Sequence, residues 1–483
     1  MLPISEFSAL DRSAEFFGVS IAQLMENAGE GISKEILKHH PPPHRLLFVC
    51  GTGNNGGDGF AAAHKLAGKG YEIRIFLAEP TEKIKGKESR ENFERARKLV
   101  SYESIEKLLD WADVVLDCLL GTGLEGKPRE PYSGIIKTLN KSRKLIISID
   151  VPSGFPSSLS VKPSLTLTLH DTKEGMNKNN SGKIIIVPIG FPAGVESIVN
   201  PAILSLLDSR PEESHKGQNG SVLIIGGGPY VGAPALAGLA AQRCGIDLIY
   251  VAVPSSVFTA VAGFSPTLIT KELSGNIFTE HSVHTSLNMA QKASAVLIGN
   301  GLGDSKETAH AVRFFLKKLN KPVVIDADAI AAVGAEPKIL KAFRGRAIVT
   351  PHSHEFKELT GKTVPQDLEK RKKLVSAEAK KLGCTILLKG RTDVISNGAE
   401  TKTNITGSRA MAVGGTGDTL AGITAAFLSK GLEPVKAAEA AAFVNGYAGE
   451  LATAEYGLSM AATDLIWKIP DVFKKFLPEW TEK

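Results

Sequence analysis

Two aspartates stand where a carboxyl can do acid/base work. Asp150 follows Ile146-Ile147-Ser148-Ile149 and leads into Val151-Pro152-Ser153-Gly154, while Asp418 follows Gly414-Gly415-Thr416-Gly417 and leads into a run of small residues. At the end of a mostly apolar strand Asp150 is partly desolvated, which raises a carboxyl's pKa toward the range for giving and taking protons. The structural alternative is an aspartate that caps a helix or closes a turn. At Asp418, glycines ahead of a helix start can cradle a transferring phosphoryl group while the carboxylate accepts a hydroxyl proton. An aspartate that merely caps a glycine turn is the alternative there.

The neighbouring loops weigh these readings. Gly53-Asn54-Asn55-Gly56-Gly57-Asp58-Gly59 follows an apolar run and precedes a helix-like stretch from 60 to 67, so its backbone N–H groups can approach a phosphate with no Cβ in the way. A second apolar run ends in Asp117 and continues into Gly121-Thr122-Gly123-Leu124-Glu125-Gly126-Lys127. In an open α/β sheet the ligand lies outside the carboxyl ends of the strands, so these loops and the one after Asp150 converge on one place. Asp117, Asn55 and Ser153 offer hard oxygen ligands for an alkali or alkaline-earth cation. In the second half, Thr350-Pro351-His352-Ser353-His354-Glu355-Phe356 and Lys389-Gly390-Arg391-Thr392-Asp393 gather polar groups at further strand ends. His352 and His354 lack a matching third ligand nearby, so no transition-metal site is expected.

The elements that must position these loops follow from apolar spacing. Ile21, Leu24, Met25, Ala28, Ile32, Ile36 and Leu37 predict an amphipathic helix over 20–40, ended by Pro41-Pro42-Pro43. Strands are predicted over 46–50, 72–77, 114–120, 145–149, 165–169 and 184–188, with helices around 91–99 and 133–139. A polar, proline-containing stretch around 207–215 reads as a linker. Beyond it strands are predicted over 222–225, 248–253, 295–298, 323–325, 347–349 and 385–388, with small-residue helices at 233–243, 421–427 and 437–444. The fold class is therefore α/β with two domains, 1–208 a Rossmann-like doubly wound sheet and 209–483 a second α/β domain. The halves share no sequence repeat, so each is expected to have its own chemistry.

Composition narrows the function. The 483 residues exceed one ordinary core, and 43% hydrophobic against 22% charged residues is the balance of a globular protein. Lys plus Arg exceed Asp plus Glu by 57 to 51 without a long basic run, and aromatics are 6%, which argues against a nucleic-acid surface. Cys50, Cys118, Cys244 and Cys384 are far apart in apolar contexts, as buried thiols of a reducing compartment would be. No basic leader opens the chain and no membrane-length apolar run occurs, so a cytoplasmic protein without a membrane partner is expected.

Met25-Glu26-Asn27-Ala28-Gly29, the 53–59 loop, Asp117 with Gly121-Thr122-Gly123-Leu124, and Asp150-Val151-Pro152-Ser153-Gly154 together resemble the YjeF N-terminal family, the NAD(P)H-hydrate epimerases. The resemblance implies interconversion of the R and S forms of hydrated NADH and NADPH (NADHX and NADPHX). It implies substrate contacts from Asn54, Asn55, Gly56, Gly57 and Asp58, and from the loop Gly121, Thr122, Gly123, Leu124, Glu125, Gly126 and Lys127, with Tyr132 a further candidate. Asp150 acts as acid/base in that reading, and Asn55, Asp117 and Ser153 bind potassium. One departure is Cys118, where family members often carry alanine.

The Gly414–Asp418 turn is similar to the ribokinase-like superfamily. More narrowly, Ser214-His215-Lys216-Gly217, Gly220 to Gly227, Tyr230-Val231-Gly232-Ala233-Pro234, Thr350-Pro351-His352 and the turn itself look like the NAD(P)H-hydrate dehydratase family. That resemblance implies restoration of NAD(P)H from the S hydrate using ADP, which leaves as AMP and phosphate, with Mg²⁺ screening the phosphates. Asp418 takes the hydroxyl proton. Hydrate contacts come from Ala233, Gly303, His352 and Asp418, and nucleotide contacts from Lys389, Gly390, Arg391, Thr392, Asp393 and Gly417. The chain departs from the family's pattern at Asn300, in Gly299-Asn300-Gly301-Leu302-Gly303, where proline is common, and at Ser353-His354, where proline-glycine is. An epimerase followed by a dehydratase, assembled as a homo-oligomer, is the expected protein. A vitamin or sugar kinase, or a non-catalytic first half acting as an interaction module, are the competing readings; retention of Asp150 and the full 54–59 loop argues against the latter.

Overall fold

The apolar stripe beginning at Ile21 forms α1 (Ile21–His39), whose first turn is capped by Ser20, the Gln23 N–H donating to Ser20 Oγ at 3.1 Å. The computed structural model describes residues 7, 10, 13–124, 126–207 and 213–477. They form two compact units, Met1–Glu196 and Ser197–Lys483. Residues 197–207 belong to the second unit, where Val199 N–H donates to the Thr403 carbonyl at 2.9 Å and Leu204 is buried. The division thus falls before the polar stretch at 207–215, of which 208–212 lie outside the described residues.

In the first unit, β1 (Arg45–Cys50), β2 (Glu72–Leu77), β3 (Val114–Cys118), β4 (Leu145–Ile149), β5 (Leu165–Leu169) and β6 (Lys183–Val187) form a parallel six-stranded sheet in the order β2-β1-β3-β4-β5-β6. Buried on both faces, β3 and most of β1 and β4 read as continuous apolar runs, which is why the sequence located them. The chain leaves β1 toward β2 and returns to β3 on the other side, so the switch point lies between β1 and β3. The loops after those strands flank it. β3 stops at Cys118, two residues before the predicted end, where the Gly51 N–H donates to the Cys118 carbonyl at 3.0 Å.

One expectation is corrected. The glycine-rich segment 54–59 is not a loop but the first turns of α2 (Asn54–Leu66), with Gly53 as N-cap. Its glycines serve close packing of helix on sheet: a Cβ at Gly56 would lie 2.0 Å from the Gly51 carbonyl oxygen, and one at Gly59 2.8 Å from Cys118 Sγ. The backbone N–H groups open to an anion there are therefore those of a helix N-terminus.

The second unit holds a nine-stranded sheet. Its strands are β7 (Ser221–Ile225), β8 (Leu248–Pro254), β9 (Ile269–Leu273), β10 (Ala295–Ile298), β11 (Val323–Ile325), β12 (Ala347–Val349), β13 (Thr385–Leu388), β14 (Asp393–Ser396) and β15 (Thr401–Asn404), in the order β15-β14-β13-β12-β11-β10-β7-β8-β9. Among the described strands β14 alone runs against the rest, pairing antiparallel with both β13 and β15; the sequence reading missed β14 and β15, as it missed β9. The direction of winding reverses between β7 and β10, again a switch point. Small residues line α7 (Ala233–Gln242) and α14 (Thr416–Ser429), which pack tightly: a Cβ at Gly422 would lie 2.1 Å from the Ala237 carbonyl oxygen. The described cysteines are all buried and free, and no described helix is long and apolar enough to cross a membrane.

Candidate active sites

The first site is a cavity of about 1060 Å³ at the β1/β3 switch point. Its wall carries Gly53, Asn54, Asn55 and Asp58 from the start of α2, Gly121 to Leu124 after β3, and Asp150 after β4. Asp150 adopts the left-handed backbone region (φ 65), which a non-glycine residue enters at a cost of order 1–3 kcal/mol. Its N–H is tied to the Leu167 carbonyl at 2.8 Å, so the strained turn is held by the sheet. Its Oδ1 lies 2.5 Å from the Nζ of Lys173, a side chain only 1% exposed. Lys173 also donates to Leu169 O at 2.7 Å and Thr168 Oγ1 at 3.1 Å, with the Phe7 ring 4.3 Å away. A buried ammonium so fully bonded fixes the carboxylate's position and supplies a charge beside it.

Beneath the cavity, Asp117 is wholly buried and accepts from Ser148 Oγ (2.7 Å), Ser153 N–H (2.9 Å) and Leu119 N–H (3.4 Å). Burial pushes its pKa up against those donors. Asn55 donates its amide N–H to Leu120 O at 3.0 Å, while its buried Oδ1 has no partner. On the opposite wall Tyr132 Oη donates to Glu79 at 2.6 Å; the ion pair with Lys83, then this bond, hold Glu79 below the usual carboxylate range.

The second site gathers around the β7/β10 switch point and the start of α14. Gly415 (φ 97) makes the left-handed N-cap, and Thr416, Gly417 and Asp418 form a first turn whose N–H groups have no intrahelical partner. Lys389 Nζ stands 3.5 Å from where a Gly417 Cβ would be, an ammonium facing a helix N-terminus. Burial would lower the Lys389 pKa, yet Asp326 at 3.0 Å and Glu355 at 3.5 Å outweigh it and raise it. Burial pushes Asp418 up to about 6, opposed by the Asn300 amide donating to its Oδ1 at 2.7 Å. Asp393, at the start of β14, is likewise pushed up to about 6 by burial, while the Gly390 and Asn404 donors oppose it. The arrangement can hold an anion between a helix terminus and an ammonium with a carboxylate alongside.

The structure brings most predicted residues together and sets some apart. Gly56 and Gly57 are buried behind the first cavity, Gly126 and Lys127 are exposed and off its wall, and Glu125 lies outside the described residues. Tyr132 is on the wall. In the second unit Ala233 opens α7 and Gly303 N–H donates to Asp328 at 2.7 Å. His352 caps α12 (Ser353–Thr360), its Nδ1 accepting the Glu355 N–H at 3.1 Å while Glu355 accepts the His352 N–H at 2.7 Å. Arg391 is bound to Gly407 O at 3.3 Å, and Thr392 leads into β14.

The NAD(P)H-hydrate dehydratase model matches residues 222–471, and the model of the YjeF-related protein N-terminus matches residues 21–175. The chain is 40% identical over 499 residues to the "Bifunctional NAD(P)H-hydrate repair enzyme Nnr" of Pyrobaculum aerophilum, covering 98% of this chain and 97% of that one. This chain belongs to the bifunctional NAD(P)H-hydrate repair enzyme family. A relative of the same name from Hyperthermus butylicus is 41% identical over 496 residues, covering 96% of this chain and 91% of its own. A solved ribokinase-like superfamily protein of Enterococcus faecalis V583 is 25% identical, with a TM-score of 0.50 over 58% of this chain and 95% of that one. The second unit is thus a ribokinase-like α/β fold.

Sequence reasoning overlooked Lys173, Glu79 and Asp326 in these candidate sites. Asp326 directly follows β11 as Asp117 follows the apolar part of β3, so the same strand-end signal was available for it. Lys173 carries no local signal: in Asp171-Thr172-Lys173-Glu174 it reads as a solvated lysine.

Proposed function

We propose that the chain repairs hydrated nicotinamide cofactors, the first unit interconverting the R and S hydrates of NADH and NADPH and the second converting the S hydrate to NAD(P)H with ADP. The single observation that carries this reading is the pairing of each switch-point site with one desolvated or strained aspartate, Asp150 beside Lys173 and Asp418 beside Asn300 and Lys389. In the first site the helix start at 54–58 and the 121–124 turn hold the substrate. Epimerisation removes the ring hydroxyl and returns it to the other face, so one group must donate a proton to the departing oxygen and take it back from the returning one. Asp150 does both in this reading.

Hydroxide leaves poorly, which gives the second site its logic. Asp418 takes the proton of the ring hydroxyl, and that oxygen attacks the β-phosphorus of ADP as the bond to AMP breaks. Phosphate then departs with the carbon–oxygen electron pair, a proton is lost from the neighbouring carbon, and the ring double bond is restored. The N–H groups of 416–418 and Lys389 stabilise the charge of the transferring group. Lys389, Gly390, Arg391, Thr392, Asp393 and Gly417 face the nucleotide in this reading, and Ala233, Gly303, His352 and Asp418 the hydrate.

The residues present fit potassium in the first site: Asn55 Oδ1 is a buried acceptor without a partner, with the Ser153 hydroxyl close by through Leu120. Potassium there would neutralise charge next to the substrate. Asp117, whose oxygens already accept three hydrogen bonds, orients Ser153 in the same site. Among the described residues no cluster of three or more metal-ligating side chains stands ready, which suits magnesium arriving on the nucleotide phosphates. The free buried thiols suit a cytoplasmic protein.

The test supplies mixed R and S hydrates with ADP, magnesium and potassium and follows recovery of reduced-nicotinamide absorbance. Asp418→Ala abolishes recovery from both epimers, and Asp150→Ala leaves the S form repairable. Accumulation of a phosphorylated product that never eliminates would identify a simple kinase instead.

A further inference from the structure

Asn300 lies in the turn leaving β10, at the switch point between β7 and β10, and is completely buried. Its backbone has one possible placement. Gly299 has φ 133, and a Cβ there would stand 1.8 Å from the Asp326 carbonyl oxygen; Gly301 has φ 76, and a Cβ there would stand 2.4 Å from the Tyr230 carbonyl oxygen. Gly299 N–H donates to Ile225 O at 3.2 Å and Gly227 N–H to Asn300 O at 2.9 Å, which ties the turn to β7 on both sides. The side chain is fixed as well: Nδ2 donates to Asp418 Oδ1 at 2.7 Å and to Asp326 Oδ2 at 3.0 Å. Both acceptors belong to carboxylates, so the reverse orientation would set oxygen against oxygen twice.

We propose that Asn300 is the positioning residue of the second site, its two amide N–H groups clamping Asp418 to the immobile Asp326 so that Asp418 Oδ2 is free to take the substrate proton. This rests on the dehydratase reading above. Asp326 is immobile because Thr350 Oγ1 (2.7 Å) and Lys389 Nζ (3.0 Å) both bind its other oxygen. The charged groups that face Asp418 are Asp326, Asp328 and Lys389, and Lys389 is shared with Asp326 and Glu355. Two neighbouring carboxylates repel, and an ammonium divided among several does not hold any one of them at a set angle. A neutral amide with two donors bridges them without adding charge. Without it, Asp418 loses its donor while Asp326 and Asp328 stay, and it protonates at higher pH.

The experiment measures turnover of the S hydrate with ADP by the full chain across pH, for wild type, Asn300→Leu and the near-isosteric Asn300→Asp. Expected for both variants is a fall in kcat of about 10- to 100-fold at pH 7, the size of a lost hydrogen bond to a charged group. The KM for ADP stays near wild type, and the acid limb of the kcat profile moves upward, further for Asn300→Asp, which adds a third carboxylate. Wild-type kcat with an unshifted profile in either folded variant overturns the proposal. So does a joint loss of melting temperature, ADP binding and kcat in both variants, which marks a core residue only. A wild-type chain that fails to convert the S hydrate refutes the dehydratase reading itself, whereas an active wild type with unaltered variants refutes only the role of Asn300.

Discussion

Replacing Asp418 with asparagine should remove catalysis and at the same time make the second unit more stable. The carboxyl is pushed from the ordinary 3.8 up to about 6, with burial the largest cause. Each pKa unit corresponds to 1.36 kcal/mol, so holding the carboxylate ionised at neutral pH costs the fold up to about 3 kcal/mol. The sign follows from linkage: a raised pKa favours the protonated form in the folded state, so the cost is absent below about pH 4 and complete above about pH 6. Asp418→Asn keeps an oxygen that can accept the Asn300 N–H but carries no charge. The expected gain is about 1–3 kcal/mol at pH 7, the lower end allowing for the added buried amide.

Thermal unfolding of the full chain at pH 7 and pH 4, with wild type alongside, reads this directly. The transition of the second unit should rise by a few degrees at pH 7 and coincide with wild type at pH 4. S-hydrate turnover should fall by about 10²- to 10⁴-fold, the usual contribution of a general base. In the wild type, the ionised fraction drops about tenfold between pH 7 and pH 5 for a group of pKa about 6, and kcat should follow it. A variant that melts lower than wild type at pH 7, or one that keeps its turnover, refutes the argument that burial of an ionised Asp418 serves catalysis.

Other outcomes follow from the first unit. Lys173→Met leaves Asp150 without its buried counter-charge and should destabilise the unit by about 3–5 kcal/mol in chemical unfolding, part of which Lys173→Met/Asp150→Asn should recover. Asn55→Leu removes a buried unpaired acceptor on the cavity wall and should abolish any dependence of epimerase rate on potassium concentration. Gly56→Ala places a Cβ 2.0 Å from the Gly51 carbonyl oxygen and should cost about 1–3 kcal/mol or more, whereas Gly53→Ala meets nothing within 4 Å and should stay within about 0.5 kcal/mol in the same denaturation series.

What could be read from the sequence was whatever a buried parallel strand imposes locally. β1, β3, β4, β10 and β11 are short apolar runs that end in glycine or a polar residue, and those ends are where such sheets place their ligands. Asp150 was visible for that reason, and Asp418 because a glycine turn leads into a helix of small residues. The start of α2 was misread because its first six residues are all poor helix formers or glycine, and local propensity reads such a stretch as a loop. Packing overrides propensity there, since only glycine lets the helix touch the backbone after β1 and the thiol of Cys118. Lys173 and Asn300 fail the local test more completely. Each is defined by a partner far along the chain, Lys173 by the strained Asp150 and Asn300 by Asp418, 118 positions away. A lysine among polar neighbours reads as solvated, and an asparagine between glycines reads as a turn. Both readings are locally correct and miss that burial has turned each side chain into a donor that steadies a carboxylate. In both units, then, the candidate aspartate could be found from its own local sequence, while the residue that holds it in place is legible only once the strands are assembled.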